Sequence, residues 1–167
     1  LSNLLSYYEQ AYLLFSLPDL SRSLADNARS SSKVYAIDPG MFAAFTRASA
    51  QETGQRLETA VFNKLRRTTP SVRAGSLARL TFEHEGKSHE IDFVTGDALL
   101  DDVYQLVQVS VNLDDPKTRA RELLALEDGM AKYGINESTM VTMDTEETVS
   151  VSSGIVRILP AWKWLLD

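Results

Sequence analysis

The hydrophobic period of this chain changes three times between residues 51 and 143, and that switching narrows the possible folds more than any single motif. Over residues 51–67 the apolar positions follow helical spacing: Leu57, Val61 and Leu65 recur every fourth residue and Phe62 widens the stripe. Over residues 77–94 the period drops to two, as in a hairpin. A two-residue Gly86-Lys87 turn, with glycine first as a type II′ turn requires, pairs Phe82 with Ile91 and Leu80 with Phe93 on one face. Thr81, Glu83, Glu90 and Asp92 then share the other face. A third strand over residues 103–111 carries Val103, Val107, Val109 and Val111 on one side, with Leu106, Gln108 and Ser110 on the other. Asp114-Asp115-Pro116 caps a helix over 118–133 whose apolar side is Leu123, Leu124 and Leu126, and Gly134 ends it. A fourth strand follows over 139–143, then an apolar run at 155–159 and the closing segment 160–166. Helix, three strands, helix and strand predict an α/β fold with a mixed sheet flanked by helices.

The first 40 residues read differently. Leu4, Leu5, Tyr8 and Tyr12 fit a helix, residues 11–15 read as a strand, and Pro18 stops regular structure. A polar loop over 21–33 leads to a short strand at 34–37, which ends in Asp38-Pro39-Gly40, a strong turn signal. Helix, strand, polar loop and strand is what remains of a winged helix whose first helices are absent. The division expected is a partial winged-helix-like segment over 1–40 and an α/β domain over 41–167.

Composition sets outer limits. Hydrophobic content of 44% and charged content of 24% belong to ordinary globular proteins, and 167 residues can bury a real core. The absence of cysteine excludes disulfides and thiolate zinc sites. No apolar run reaches the roughly 20 residues that span a bilayer, so no membrane contact is expected. The chain starts Leu1-Ser2-Asn3 with neither an initiator Met nor a signal-peptide pattern, which reads as a piece of a longer cytoplasmic protein. The net charge of −6 argues against a domain whose main work is gripping nucleic acid. Cations are nevertheless concentrated: Arg56, Lys64, Arg66, Arg67, Arg73 and Arg79 fall in one stretch opposed only by Glu58.

Three polar residues interrupt apolar elements. Glu58 lies three, four and seven residues from Val61, Phe62 and Leu65, on or beside the helix's buried side. Asp92 and Gln108 interrupt two successive strands, and Gly54 lets the helix backbone approach a neighbour. Polar groups in such places are costly unless partnered, so their grouping marks either a site or a hydrogen-bonded core network. His84 and His89 are expected opposite each other across the turn, two ligands that fall far short of a closed zinc site. Trp162, Trp164 and Tyr104 offer either a base-stacking surface or core packing. No glycine-rich phosphate loop, Ser/His/Asp set or HExxH is present.

The order helix-Glu, strand-Asp, strand-Gln-x-Ser resembles the PD-(D/E)XK nuclease core with its last two residues changed. In that arrangement carboxylates hold Mg²⁺ or Mn²⁺ and a lysine orients or activates water. The resemblance assigns the catalytic places to Glu58, Asp92, Gln108 and Ser110, and the metal to Glu58, Asp92 and Gln108. Gln is a poor ligand for Mg²⁺ and Ser supplies no cation, so most activity should be lost. Lys117 or Arg119 is the nearest substitute cation in sequence.

Nearly the full chain also resembles the C-terminal part of a prokaryotic AAA-type ATPase family. The stretches that carry this likeness include Tyr8-Glu-Gln-Ala-Tyr-Leu-Leu-Phe15, Lys33-Val-Tyr-Ala-Ile-Asp38, Gly54-Gln-Arg-Leu-Glu58, Glu90-Ile-Asp-Phe-Val94 and Leu106-Val-Gln-Val-Ser110. Thr118-Arg-Ala-Arg-Glu-Leu123 and Ile158-Leu-Pro-Ala-Trp-Lys-Trp-Leu-Leu166 complete it. The resemblance implies a restriction-endonuclease-like domain following a winged helix, joined to an ATPase domain that would be the only place for ATP. The changed residues lead us to expect a nuclease-like domain that is catalytically inactive and contacts DNA or a protein partner, and Arg56, Arg66, Arg67, Arg119 and Arg121 are the residues expected to meet an anionic partner. Two alternatives stand beside it: a Mg²⁺- or Mn²⁺-dependent DNA endonuclease with a degenerate site, and a structural domain that positions or homo-oligomerises the ATPase.

Overall fold

The computed structural model describes residues 2–20, 32–41, 50–69, 76–97 and 102–167. Among them the elements are α1 (Ser2–Gln10), β1 (Leu14–Leu17), β2 (Lys33–Ala36), α2 (Ala50–Thr68), β3 (Leu77–His84), β4 (Lys87–Asp97), β5 (Asp102–Val109), α3 (Pro116–Tyr133), β6 (Glu137–Thr142), β7 (Glu147–Val151), β8 (Gly154–Pro160) and α4 (Ala161–Leu166). Six strands form one sheet in the order β3-β4-β5-β6-β8-β7, and β1 pairs with β2 in a separate two-stranded sheet. β3, β4 and β5 are mutually antiparallel, β5, β6 and β8 are parallel, and β7 returns antiparallel on β8. The fold is therefore α/β with a mixed sheet flanked by helices, as the period switches predict. Most of the polar loop over 21–33, and Arg73, lie outside the described residues.

Each sheet face buries its own apolar cluster. On one face α2 contributes Leu57, Val61, Phe62 and Leu65, which meet Phe93, Val107 and Val141 of the sheet, Trp164 of α4, and Leu17 and Tyr35 of the β1–β2 pair. On the other face α3 sets Leu126 and Met130 against Leu80, Phe82, Ile91, Leu106, Met140, Val156 and Ile158. Gly129 lets α3 lie this close, because a Cβ there would sit 2.7 Å from Ile91 Cδ1. The predicted caps of α3 are present. Asp115 accepts from the Lys117 and Thr118 N–H groups, Pro116 opens the helix, and Gly134 closes it in the left-handed conformation.

The following local expectations are corrected. The hairpin turn is Glu85-Gly86, both with positive φ (49° and 74°), so the glycine stands second, as in a type I′ turn. Leu80 therefore pairs with Ile91 and Phe82 with His89, two residues from the expected register; the step is even, so the faces are kept. His84 consequently faces Lys87 rather than His89, although both imidazoles reach Asp128 of α3, at 3.8 and 3.1 Å. Two bulges then break the alternation. Asp92 and Phe93 together oppose Arg79, which turns Phe93 onto the α2 face. Tyr104 is the extra residue on β5, so Val103 joins the α3 cluster while Val107 joins the α2 cluster. The N-terminal helix runs to Gln10 and β1 starts only at Leu14, with Tyr12 at φ 58° between them. β7, which the period reading left unassigned, is an edge strand.

Candidate functional site

The bulge on β4 places the chemistry. Where Asp92 and Phe93 crowd against one partner residue, the regular β4–β5 ladder stops at Phe93, and side chains replace the missing bonds. The Asp92 N–H donates to Gln108 Oε1 (3.1 Å) and the Val109 N–H donates to Asp92 Oδ2 (3.0 Å). Gln108 then donates from Nε2 to Glu122 Oε2 of α3 at 2.7 Å. Both polar ends of Gln108, only 6% exposed, are thus spent on holding two strands and a helix together. Glu122 is steadied on its other oxygen by the adjacent Arg121 guanidinium.

On the opposite side of Asp92 stands a residue that the sequence reading passed over. Lys33 and Tyr35 lie two apart on β2 and so share a face. Lys33 Nζ reaches Glu58 Oε1 at 3.1 Å, Asp92 Oδ1 at 3.2 Å and Glu90 Oε1 at 3.0 Å. The Tyr35 hydroxyl donates to the same Glu58 oxygen at 2.5 Å. Arg79 holds Asp19 through two bonds and lies 3.8 Å from Glu90, which extends the network as a second cation.

The charges explain why the cluster needs its lysine. Burial pushes the Asp92 carboxyl up to about 6, and the Glu58 charge adds to that; Lys33 and the Val109 N–H offset only part of it. Burial alone would pull the Lys33 ammonium down, but the Asp92 and Glu58 charges more than reverse it and hold it well above the usual lysine range. Burial and then Glu58 raise the Tyr35 phenol, which stays neutral and donates. A cleft of about 520 Å³ opens beside this network, lined by Gly54, Glu58, Asp92, Gln108, Ser110 and Glu122 among others.

The expected nuclease residues are thus partly gathered. Glu58 and Asp92 share a cation, Gln108 touches the Asp92 backbone, and Ser110 lines the cleft while its hydroxyl donates to Asn112 O. This arrangement does not fit a divalent ion. A lysine ammonium lies between the two carboxylates, the Gln108 oxygen is occupied by an N–H, and no group of three His, Asp or Glu among the described residues is set to hold a metal.

The five arginines divide between the sheet's two faces. Arg56, Arg66 and Arg67 ride on α2; Arg119 and Arg121 ride on α3, where Glu147 and Glu122 already pair them. Of the aromatic residues, Trp164 is buried, whereas Trp162 and Tyr104 are exposed. The signals that could have found the missed residues were faint: the Lys-x-Tyr spacing of β2, and Glu122 set three and four residues before the buried Ala125 and Leu126. Among the described residues no helix is long and apolar enough to cross a membrane. No protein-family model, curated protein or solved structure matches the chain.

Proposed function

We propose that this chain is a nuclease-like domain that acts by binding rather than by cutting, the C-terminal module of an AAA-type ATPase that engages DNA or a protein partner. In this reading the restriction-endonuclease-like core follows a winged-helix remnant made of α1, β1 and β2. One observation carries it: Lys33 Nζ occupies the space between Glu58 and Asp92, where a phosphodiesterase would need its metal. Gln108 supports the same reading, since its atoms are already committed to Asp92 and Glu122.

Lys33 also favours a second reading. It brings an amine to Asp92 from outside the strand that lacks one at Ser110, and an amine is what a Mg²⁺- or Mn²⁺-dependent endonuclease would need to orient water. Calorimetric titration with Mn²⁺ and a plasmid-nicking assay separate the two. The binding reading expects no saturable Mn²⁺ heat and no nicking. Saturable Mn²⁺ binding that Asp92→Ala removes, together with nicking that Lys33→Met abolishes, would establish the enzyme and end the binding-only reading.

A further inference from the structure

We propose that the C-terminal half of α2, together with α4, is a seat for single-stranded nucleic acid, with Arg66 and Arg67 taking a backbone phosphate and Trp162 stacking a base. This rests on the reading of the domain as a binding module and names one ligand and one place for it.

The first observation is how the arginines are partnered. Among the described residues Arg79, Arg119, Arg121 and Arg157 each have a carboxylate within ion-pair distance, whereas Arg56, Arg66 and Arg67 have none. All three unpaired guanidinium groups stand on α2, in a chain whose net charge is −6. Acidic residues are plentiful, yet these cations are left for something else.

Two of them are already oriented. The Arg66 guanidinium lies 3.8 Å from the Phe15 ring centre, and Arg67 donates from Nε to Asn63 O at 3.0 Å. A guanidinium held in place binds a phosphate edge with less ordering cost than a free one. Both line a cleft of about 460 Å³ floored by Ile37, Pro39 and Leu165. Asn63 lies in its wall at 6% exposure, its Nδ2 donating to Ala36 O. The one carboxylate at the cleft, Asp38, accepts from the Gly40 N–H.

Trp162 supplies the stacking platform. It is 63% exposed and sits three residues before Leu165 of the cleft, one turn away on α4. α4 is anchored beneath it: Trp164 is buried, Lys64 lies 5.0 Å from the Trp164 ring centre, and Lys64 Nζ donates to Trp164 O. A phosphate clamp on α2 and an exposed aromatic one helical turn from the cleft suit an unpaired strand, because a duplex hides its base faces.

The test is fluorescence anisotropy of labelled oligo(dT), with a duplex of equal length and inorganic phosphate as competitors. Wild type should bind oligo(dT) in a salt-dependent way, and the duplex and phosphate should compete poorly. Replacing both Arg66 and Arg67 by Gln should reduce the salt slope by about 0.7, the value for one phosphate contact on a single strand. Trp162→Ala should weaken binding by roughly tenfold or more, and Trp162→Phe should recover part of it. Because Arg66 packs on Phe15, Arg67→Ala serves as a second variant at an exposed position, with melting curves to show that each variant folds. Failure of wild type to bind oligo(dT) overturns this inference. Binding that these variants leave unchanged, or binding of duplex alone, also overturns it, while leaving intact the broader reading of a DNA-binding domain with its contact elsewhere.

Discussion

Placing an acidic residue at position 108 should destabilise the protein, because the Gln108 amide is committed to Glu122. Gln108→Glu is nearly isosteric, but it replaces the Nε2 donor that lies 2.7 Å from Glu122 Oε2 with an oxygen. Two carboxylates would then meet almost out of water, since Gln108 and Glu122 are 6% and 8% exposed. Repulsion at ~3 Å with an effective dielectric constant near 20 is about 5 kcal/mol, and the lost charge-assisted hydrogen bond adds about 2 kcal/mol. Taking up one proton is cheaper. From an ordinary glutamate value near 4.3 it costs about 4 kcal/mol at pH 7 and about 1 kcal/mol at pH 5. Arg121 relieves little of this, because its side chain is 72% exposed. The expected result in urea denaturation is a loss approaching 4 kcal/mol at neutral pH that shrinks by roughly 1.4 kcal/mol per pH unit on acidification. Adding Glu122→Gln supplies the amide from the other side and should restore stability to within about 1 kcal/mol of wild type. A loss that is the same at both pH values, or that Glu122→Gln does not rescue, would refute the reasoning.

Three further outcomes are expected. Lys33→Met leaves Glu58, Glu90 and Asp92 without their shared cation and should destabilise by about 2 kcal/mol at neutral pH, the loss narrowing in urea melts as pH falls through 6; equal stability at pH 7 would deny the cluster its energetic role. Asp92 has its folded-state value raised from 3.8 to about 6, so the folded protein holds an extra proton between these values and stability falls as pH rises through them. The stability difference between wild type and Asp92→Asn should therefore move toward the variant by on the order of 3 kcal/mol from pH 4 to pH 7, and a flat difference would show that burial does not govern this carboxyl. Asp115→Ala should cost about 1 kcal/mol by removing the α3 cap, whereas the exposed Asp114→Ala should cost far less; equal losses would misplace the cap.

What the sequence made legible, and what it hid, follows from how far each cause extends along the chain. α2 and α3 are written locally, in the Leu57-Val61-Leu65 spacing and in the Asp115, Pro116 and Gly134 caps, and both lie within two residues of their expected bounds. The hairpin was legible in its faces but not in its turn, because Glu85 accepts positive φ and leaves the glycine in second place. Neither bulge has a period of its own, so the faces of Phe93 and Val103 could not be read from alternation. The site was half legible: Glu58, Asp92 and Gln108 stand out as polar residues on apolar faces. Lys33 does not, since an exposed-looking lysine at the end of a polar stretch carries no mark of the three carboxylates it meets 25 or more residues later.

The amide at position 108 also governs how this domain can change over evolutionary time. While Gln108 and Glu122 clasp each other, a single change of Gln108 to an acidic residue passes through a poorly folded protein, and a change at Glu122 alone strands the amide. Only a paired exchange keeps the protein folded at every step, so the clasp behaves as a ratchet. The stability of the core thus holds position 108 as an amide, while positions such as Trp162 and Arg67, which the core does not need, stay free to drift toward new ligands.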